Sequence, residues 1–268
     1  MLNRPVITLT TDFGLKDPFA GIMKGVILNI NINANIADLT HNIERHNISE
    51  ASHMISMSHR YFPPSTIHIA VVDPGVGSDR RPLLIKAGDH FFIGPDNGIF
   101  SSIYKEYRDD LTVIHMTSEK YFLPLKGPTF HGRDIFAPAA AWLSTGIPIE
   151  EFGEVINDYT IIEPPAPSVS GNTIKGQVIS IDIFGNCITN ITGDDLAGSS
   201  DRPDTVFDTI YNNETLSLSA CYAEGENSGL SSIINSFGQL ELFIYKKSAS
   251  EQYNIKIGDR VTVKIGQV

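Results

Sequence analysis

The chain has 268 residues, of which 41% are hydrophobic and 19% are charged, a balance that is ordinary for a folded globular protein and excludes a disordered one. Its net charge of −11, from 20 Lys and Arg against 31 Asp and Glu, argues against a nucleic-acid partner, which would require a concentrated basic surface. No run approaches the ~18 apolar residues of a membrane span, and the first residues enter a strand pattern without a signal-peptide core, so we expect a cytoplasmic protein.

The first half of the chain alternates strand and helix patterns. In chain order these are the strand PVITLTT, the helix FAGIMKGVILNI, the strand ANIADL, the helix ISEASHMISMSHRYF and the strand TIHIAVV. A hairpin follows, PLLIKA and HFFIG joined by Gly88 and Asp89, and then the helix IFSSIYKEY, the strand LTVIHM and the helix RDIFAPAAAWLSTG. This alternation predicts a Rossmann-like α/β domain, with a largely parallel sheet and helices on both faces.

The pattern changes at Pro164, Pro165 and Pro167, which can continue neither a helix nor a central strand. We place a domain boundary there, so that residues 1–164 form the N-terminal domain and residues 165–268 the C-terminal domain. Only short β-rich runs follow the boundary: TIKGQVISIDI, NCITNI, DTVFDTIY, TLSLSACYA, SSIINSF, LELFIY and DRVTVKI. Their spacing predicts an all-β barrel or sandwich.

Two aspartates follow predicted strands of the N-terminal domain. Asp12 comes after PVITLTT and Asp73 after TIHIAVV, and a glycine follows each within two residues. Ligands bind beyond the carboxyl ends of parallel strands, so both are candidate ligand contacts, although an aspartate that only caps a turn would occupy the same place. Asp73 stands in DPGVGSDRR with Arg80 and Arg81, a denser cluster of charge than a turn requires.

A histidine marks a third candidate segment, TFHGRDIFAPAAAW. His131 and Gly132 stand at the predicted start of a helix, where unpaired N–H groups and the helix dipole favour an anion. A hydroxide-like oxygen would be held well at such a place. The alternative is a capping or buried core histidine without a chemical role.

The C-terminal domain offers two polar segments. In SIDIFGNCITN, Asp182, Phe184 and Asn186 occupy alternating positions, so that on a strand all three side chains point the same way. An acid, an aromatic ring and an amide suit an amine, the face of a nucleobase and its edge. An edge-strand turn with one core phenylalanine is the alternative, and the polar turn NSFG, which contains Ser236, is open to the same two interpretations.

Several classes of protein are excluded because the sequence motifs that define them are incomplete in this chain. The DFG at Asp12 is a magnesium motif in protein kinases, but no Gly-rich loop or HRD segment precedes it here. The eight histidines show no HExxH or similar ligand spacing, so we expect no metal. No cofactor is expected either. Cys187 and Cys221 form neither a disulfide framework nor a CxxC pair, and we assign them no role.

Six motifs, in order, carry a family resemblance: TTDFG, VVDPGVG followed by RR, GPDNG, TFHGRDIFAPAAA, DIFGN and NSFG. Over about residues 6–266 they resemble the S-adenosylmethionine hydroxide adenosyltransferases, relatives of the fluorinase and chlorinase. The resemblance implies an N-terminal α/β domain, a C-terminal β-barrel, and a homotrimer whose site lies between subunits. It also implies metal-free hydrolysis of the substrate S-adenosyl-L-methionine to adenosine and L-methionine.

The resemblance implies roles for individual residues. Asp73, Arg80 and His131 would activate a water molecule for in-line attack on the ribose C5′, and Asp12 would clamp the ribose hydroxyls. The remaining implied contacts are Asp182 and Ser236 to the methionine amino and carboxylate groups, and Phe184 and Asn186 near the adenine. Halogenases replace the aspartate and the histidine of the triad and have a longer loop at KAGDH, so water is the expected nucleophile.

One segment departs from the family pattern. LELFIYKKSASEQY stands where relatives read closer to IAVNxGxA, so that adenine contacts there would come from the backbone near Lys246 to Ser248. Two alternatives to a hydrolase stay open at this point. One is a module that binds S-adenosylmethionine or a nucleoside without turnover, and the other is a halogenase that uses the same substrate.

Overall fold

The computed structural model describes residues 4–124, 127–198 and 205–267. The chain divides after Pro164 into two compact units. Each unit contains one large β-sheet, so the protein is a mixed α/β structure with two sheets. The longer helices belong to the first unit, where they cover the sheet.

The first unit, within its described residues, contains seven strands and four α-helices. In chain order they are β1 (Val6–Thr11), α1 (Phe19–Ile30), β2 (Asn35–Thr40), α2 (Ile48–Ser58), β3 (Ile67–Val71), β4 (Pro82–Ala87), β5 (His90–Pro95), α3 (Ser101–Glu106), β6 (Leu111–Met116), α4 (Ala137–Leu143) and β7 (Gly153–Val155). A π-helical turn at Gly132–Phe136 leads into α4. Every element predicted in this half is present, and only the short β7 was not predicted.

The sheet of the first unit is half parallel and half antiparallel. Its strand order is β2-β1-β3-β5-β4-β6-β7. The pairings that join β2, β1, β3 and β5 are parallel, and those that join β5, β4, β6 and β7 are antiparallel. The predicted hairpin at Gly88 and Asp89 is confirmed. This hairpin reverses the chain direction within the sheet. The prediction of a largely parallel sheet therefore holds only for β2, β1, β3 and β5.

Helices cover both faces of this sheet, as predicted. On one face, α1 and α4 pack over Ile7, Leu9 and Ile69. On the other face, α2 and α3 pack over Ala70 and Ile85. A strand that is covered on both faces is buried at every position, and all five residues of β3, of which only His68 is polar, are buried.

The second unit, within its described residues, consists mainly of short strands. In chain order its elements are β8 (Ser168–Ser170), β9 (Thr173–Ile181), β10 (Cys187–Thr192), α5 (Gly193–Ala197), β11 (Thr205–Tyr211), β12 (Glu214–Leu216), β13 (Leu218–Ser219), β14 (Ser231–Ile234), β15 (Gln239–Phe243), α6 (Ala249–Tyr253) and β16 (Arg260–Gln267). All the predicted runs contain strands, and Asp204, at the start of one run, lies outside the described residues.

Two short helices correct the all-β prediction for this unit. Thr192 caps α5 in a reciprocal capping box with Asp195, and the Ser248 hydroxyl accepts a hydrogen bond from the Glu251 N–H at the start of α6. A hydroxyl residue followed three positions later by an acid is typical of a helix start. Both helices have five residues, too few to show a helical repeat of apolar residues among the surrounding strand patterns.

The sheet of the second unit curls until it is nearly barrel-shaped. Its strand order is β12-β11-β16-β9-β10-β15-β14-β13, with β8 paired to β9. The pairings are antiparallel except that of β13 with β14. Ser232 on β14 donates a hydrogen bond of 3.1 Å to Thr209 on β11, so strands far apart in the sheet order approach each other.

Candidate active site

The carboxyl ends of three neighbouring parallel strands meet at one edge of the first sheet. In β1 and β3, Thr11 pairs with Val71, so Asp12 and Asp73 leave the sheet at the same edge. On the other side of β1, Thr10 pairs with Thr40, and His41 follows β2 directly. The parallel half of the sheet therefore gathers two acids and a histidine at one edge, where α/β folds bind their ligands.

Asp73, Arg80 and His131 form a hydrogen-bonded cluster. Nε of Arg80 donates to both carboxylate oxygens of Asp73, at 3.1 and 3.0 Å, and Nη2 of Arg80 donates to Oδ2 of Asp73 as well. The same Nη2 donates to Nδ1 of His131 at 2.7 Å. The side chains of Asp73 and Arg80 are only 5% and 8% exposed, so this ion pair is largely removed from water.

The guanidinium of Arg80 has one nitrogen left over. Nη1 is buried and has no hydrogen-bond partner among the described residues. The guanidinium also lies over the Phe136 ring, 5.2 Å from its centre. A buried donor without a partner is destabilising, by about 1–3 kcal/mol and more when the group is charged. An oxygen atom of a bound water or hydroxide would satisfy it.

The contact with Arg80 determines which proton His131 carries. A guanidinium can only donate, so Nδ1 of His131 must accept. The imidazole is therefore neutral in this arrangement and carries its proton on Nε2. In that state Nε2 is a hydrogen-bond donor and not a base.

A glycine brings the Asp73 segment close to the chain that leads to His131. Gly77 has a φ of +83°, and a Cβ there would lie 2.5 Å from the carbonyl oxygen of Pro128. Only glycine combines this backbone conformation with so close an approach. The second glycine of DPGVG thus has a packing reason, and Pro128 precedes His131 by three residues.

The helix start at His131 differs from the one expected from the sequence. The N–H groups of Arg133 and Asp134 both donate to the Phe130 carbonyl, so they are unavailable to an anion. Asp134 is fully buried and accepts hydrogen bonds from Arg133 and from the Gly127 N–H. The π-helical turn, which is frequent at functional sites, replaces the open α-helical N-terminus that we expected.

The two adjacent arginines of DPGVGSDRR have different partners. Nε of Arg81 donates to Asp96 at 2.8 Å, and Nη1 of Arg81 donates to Asp158 at 2.7 Å, so Arg81 lies outside the cluster. Asn97 Nδ2 donates to the Val72 carbonyl at 2.9 Å and thereby holds the residue before Asp73. The sequence analysis assigned no role to Asp96 or Asn97. Their occurrence in the GPDNG motif was the available indication of these structural roles.

Asp12 is held by a loop that follows β2. Its Oδ2 accepts a hydrogen bond of 3.0 Å from the backbone N–H of His46. His46 has a φ of +66°, an uncommon conformation for a residue other than glycine. The orientation of Asp12 therefore depends on residues about 30 positions away in the sequence.

The second unit does not arrange Asp182, Phe184 and Asn186 as predicted. β9 ends at Ile181, so these residues form a turn and strand alternation does not apply. The Asp182 carboxylate accepts hydrogen bonds from the N–H groups of Phe184 and Asn186, at 2.9 and 2.8 Å, and from Nδ2 of Asn186. Phe184 is 75% exposed and Asn186 is buried, so the three side chains do not share a face.

The turn that contains Ser236 rests on a buried acid. Ser236 is exposed, and Oδ1 of the preceding Asn235 accepts hydrogen bonds from the N–H groups of Phe237 and Gln239. Asn235 Nδ2 donates to Glu241 at 3.0 Å, and the Tyr222 hydroxyl donates to Glu241 at 2.8 Å. Sequence reasoning missed Glu241, whose only signal was a lone acid in LELFIY.

Glu241 interacts electrostatically with Asp182 in the neighbouring turn. Burial raises the pKa of Glu241 above its ordinary value, and the negative charge of Asp182 adds to the rise. Burial likewise raises the pKa of the Tyr222 hydroxyl, which donates to Glu241. Asp182 and Glu241 thus lie close enough to repel each other.

The segment from Lys246 to Ser248 packs against the Asp182–Asn186 turn. A Cβ at Gly185, whose φ is +82°, would lie 2.1 Å from the Ser248 hydroxyl oxygen. The Ser250 N–H donates to the Gly185 carbonyl at 2.9 Å. The segment that departs from the family pattern therefore adjoins the turn with the predicted adenine contacts.

Metal, cysteine and membrane features are sparse in the described part of the chain. No group of three or more His, Cys, Asp or Glu residues there is arranged to hold a metal ion. Cys187 is buried, which raises the pKa of its thiol to about 12, and Cys221 is exposed. No described helix is both long enough and apolar enough to cross a membrane.

A largely buried acid and guanidinium joined to a half-buried imidazole, beside the carboxyl edge of parallel strands, are typical of an α/β enzyme that acts on a small molecule. Comparison with known families makes this more specific. The N-terminal domain model of the SAM (S-adenosylmethionine) hydroxide adenosyltransferases matches residues 7–153, and the C-terminal domain model of the same family matches residues 176–262. The chain belongs to the SAM hydroxide adenosyltransferase family, which confirms the resemblance found in the motifs.

Individual relatives match along nearly the whole chain. The (R)-S-adenosyl-L-methionine hydrolase of Methanocaldococcus jannaschii is 35% identical, over 96% of this chain and 95% of its own. The enzyme of the same name from Thermus thermophilus is 31% identical, over 95% and 97%. A fluorinase from Actinopolyspora mzabensis is 28% identical, over 97% of each chain. The crystal structure of an uncharacterized conserved protein from Thermotoga maritima superposes with a TM-score of 0.88 at 33% identity, covering 96% of this chain and 99% of that one.

Proposed function

We propose that this protein hydrolyses S-adenosyl-L-methionine to adenosine and L-methionine. The observation on which the proposal mainly rests is the Asp73–Arg80–His131 cluster, in which the acid and the guanidinium are largely buried and Nη1 of Arg80 has no partner among the described residues. The names of the hydrolase relatives support the substrate and the reaction. Asp73, Arg80 and His131 are the proposed catalytic residues.

The reaction makes limited chemical demands. The oxygen of water attacks the ribose C5′, the C5′–S bond breaks, the electron pair leaves with sulfur as a neutral thioether, and one proton is released. A sulfonium needs no acid to depart, so the task of the protein is to place the oxygen in line with the C5′–S bond. Positioning of this kind contributes up to about 7–11 kcal/mol in well-oriented intramolecular systems.

The cluster is suited to that task. Nη1 of Arg80 can donate to the attacking oxygen while its negative charge develops, and His131 is joined to the same guanidinium. Asp73 keeps the guanidinium in place through its paired hydrogen bonds and can accept one from the water. This division of roles makes geometry, more than basicity, the source of the rate.

The substrate contacts proposed for the other residues follow the family resemblance. Asp12 clamps the ribose hydroxyls, and its position beside Asp73 at the sheet edge supports this role. The proposed contacts of the second unit are Asp182 and Ser236 for the methionine end, and Phe184 and Asn186 for the adenine. The Phe184 ring is exposed, which supports a stacking role because an exposed ring face is available to a nucleobase.

The finer architecture is part of the same proposal. The two compact units are the N-terminal and C-terminal domains, the first Rossmann-like and the second a β-barrel. The protein acts in the cytoplasm as a metal-independent homotrimer, with the site at the subunit interface. Light scattering should give three times the mass of one chain, and treatment with a chelator should leave turnover unchanged; a monomer or a loss of turnover would contradict these two points.

A product assay tests the function directly. The protein is incubated with each of the two epimers of S-adenosylmethionine at sulfur, because the relatives are named for the R form. We expect equal amounts of adenosine and methionine from one epimer, and oxygen-18 from labelled water at the adenosine 5′ position. Substrate that binds without any product would indicate a binding module, and a 5′-halogenated adenosine in the presence of halide would indicate a halogenase.

A further inference from the structure

A buried histidine outside the catalytic cluster connects two loops at the sheet edge. The Asp12 loop consists of residues 11–14 and the His41 loop of residues 41–46. His41 is 4% exposed, and its Nδ1 lies 2.8 Å from the hydroxyl oxygen of Thr11, which is fully buried. The two loops therefore meet through a hydroxyl–imidazole contact that water does not reach.

Backbone hydrogen bonds reinforce this contact. The Gly14 N–H donates to the His41 carbonyl at 2.7 Å, and the Ile43 N–H donates to the Thr11 carbonyl at 3.3 Å. The His46 N–H donates to the Asp12 carboxylate at 3.0 Å. Every residue of the Asp12 loop except Phe13 is thus bonded to the His41 loop, and the Phe13 N–H donates to the Thr11 hydroxyl at 3.2 Å.

A charged pair determines the orientation of the imidazole. Nε2 of His41 lies 3.1 Å from a carboxylate oxygen of Asp38, although the N–H direction falls short of a hydrogen bond. The other oxygen of Asp38 pairs with Lys24 at 2.6 Å. A carboxylate attracts an N–H and repels a lone pair, so the imidazole proton lies on Nε2. Nδ1 is then an acceptor for the Thr11 hydroxyl proton.

We propose that His41 is a positioning residue for substrate binding: it accepts the Thr11 hydroxyl proton, orients its ring against Asp38, and thereby holds the Asp12 loop in the conformation that presents the Asp12 carboxylate. This inference rests on the proposed function, in which Asp12 binds the ribose. It predicts that loss of the contact weakens substrate binding and leaves the chemical step nearly intact, because the described hydrogen bonds of the Asp73 and Arg80 side chains join them to each other and to His131, and not to His41.

The same strand contains a matched control. Thr8 also lies on β1, is also buried, and its hydroxyl oxygen also lies 2.8 Å from a histidine Nδ1, that of His68. The Thr8–His68 pair is three residues farther from the Asp12 edge. Thr11→Val and Thr8→Val therefore remove the same kind of bond, with the same change of shape, at two distances from the site.

Steady-state kinetics on the epimer that the wild type hydrolyses separates the two pairs. For Thr11→Val we expect KM to rise about tenfold, as loss of a buried hydrogen bond implies, with kcat changed less than about threefold. For Thr8→Val both constants stay within about twofold of the wild type. His41→Leu should raise KM as Thr11→Val does, and His41→Asn, whose amide oxygen can accept the Thr11 proton, should recover part of the loss.

Hydrogen exchange supplies a readout that does not depend on turnover. The amides of Gly14 and His46 should exchange faster in Thr11→Val and at the wild-type rate in Thr8→Val. Equal KM values for the two threonine variants, or a fall of kcat at constant KM in Thr11→Val, would overturn the proposal. If the wild type releases no adenosine, the proposed function fails instead, and the exchange rates of the two amides decide whether His41 holds the loop.

Discussion

The two units hold the polar side chains of the candidate site by different kinds of hydrogen bond. In the first unit, Arg80 joins Asp73, seven residues before it, to His131, 51 residues after it. In the second unit, the hydrogen bonds of the Asp182 carboxylate come from Phe184 and Asn186, two and four residues later. The first arrangement exists only when the sheet and helices are assembled, whereas the second forms within a single turn.

The two sites also differ in whether their polar groups all have hydrogen-bond partners. In the cluster of the first unit, a buried guanidinium nitrogen of Arg80 has no hydrogen-bond partner within the described part of the chain, so it does not stabilise the free protein. The turn of the second unit has paired each polar group of Asp182 with its neighbours. A catalytic group needs hydrogen-bonding capacity that the protein leaves unused, whereas a group that only binds substrate can be held by local structure.

Replacement of Asp73 should give the largest effect and breaks the long-range arrangement. Asp73→Asn removes the charge that holds Arg80, so we expect kcat to fall about 100-fold or more while the affinity for substrate changes only a few-fold. Product assays and calorimetry measure the two quantities. Asp158→Asn is the control, because it removes an exposed partner of the adjacent Arg81 and should leave kcat unchanged. Loss of substrate binding by Asp73→Asn would contradict the catalytic role.

The close approach of Gly77 to Pro128 can be tested by comparison with Gly171, a glycine in a turn of the second unit. Gly77→Ala combines a φ of +83° with a contact at 2.5 Å to Pro128, so we expect a loss of about 3 kcal/mol in the free energy of unfolding together with reduced activity. Gly171→Ala has a φ of +56° and no atom nearby, and should lose only about 1 kcal/mol. Urea unfolding measures both variants; equal losses would show that the contact with Pro128 is unimportant.

The two units should also respond to pH with opposite signs. All eight histidines lie in the first 164 residues. Burial, together with His90 and His59, lowers the pKa of His68 to about 3, so His68 stays neutral in the folded protein. The unfolded chain binds a proton below about pH 6.5, and stability is therefore lost as the pH falls, at about 1.4 kcal/mol per pH unit.

For the first unit we expect about 2 kcal/mol less stability at pH 5 than at pH 7 from this group. Urea unfolding followed by Trp142 fluorescence reports on this unit, because Trp142 is the only tryptophan and lies in α4. His68→Phe has no proton to bind and should flatten the dependence on pH, whatever its overall stability. An unchanged slope in this variant would contradict the buried neutral state of His68.

The smallest expected effect concerns Glu241 in the second unit. Its pKa is raised by burial, so the folded state holds a proton more tightly than the unfolded chain, and stability is lost as the pH rises above the ordinary value of 4.5. Glu241→Gln should remove this loss. Hydrogen exchange in peptides from β14 and β15, compared between pH 5 and pH 8, measures it, and a wild-type pH dependence in the variant would count against the assignment.

Much of the first unit was predictable from its sequence, because a strand covered on both faces and an amphipathic helix each leave a local pattern. The hairpin of β4 and β5 was predicted, but the strand order of the antiparallel half was not, since the pairing of β4 with β6 joins segments whose neighbourhood in the sheet no local pattern records. In the second unit α5 and α6 were missed because each spans five residues. The capping residues Thr192 and Ser248 were the available signal.

For the candidate site, the sequence by itself determined which residues have the right chemistry, since motifs such as DPGVGSDRR and TFHGRD are unusually dense in charge and glycine. The family resemblance already favoured Arg80 over Arg81, but only the tertiary structure shows the hydrogen bonds by which Arg80 joins Asp73 to His131, and only it shows that Asp182 turns back on its own backbone. The physical reason is that a hydrogen bond depends on distance and direction in space. Residues adjacent in sequence, such as Arg80 and Arg81, can point to different partners, while Arg80 and His131, which are 51 positions apart, are hydrogen-bonded to each other.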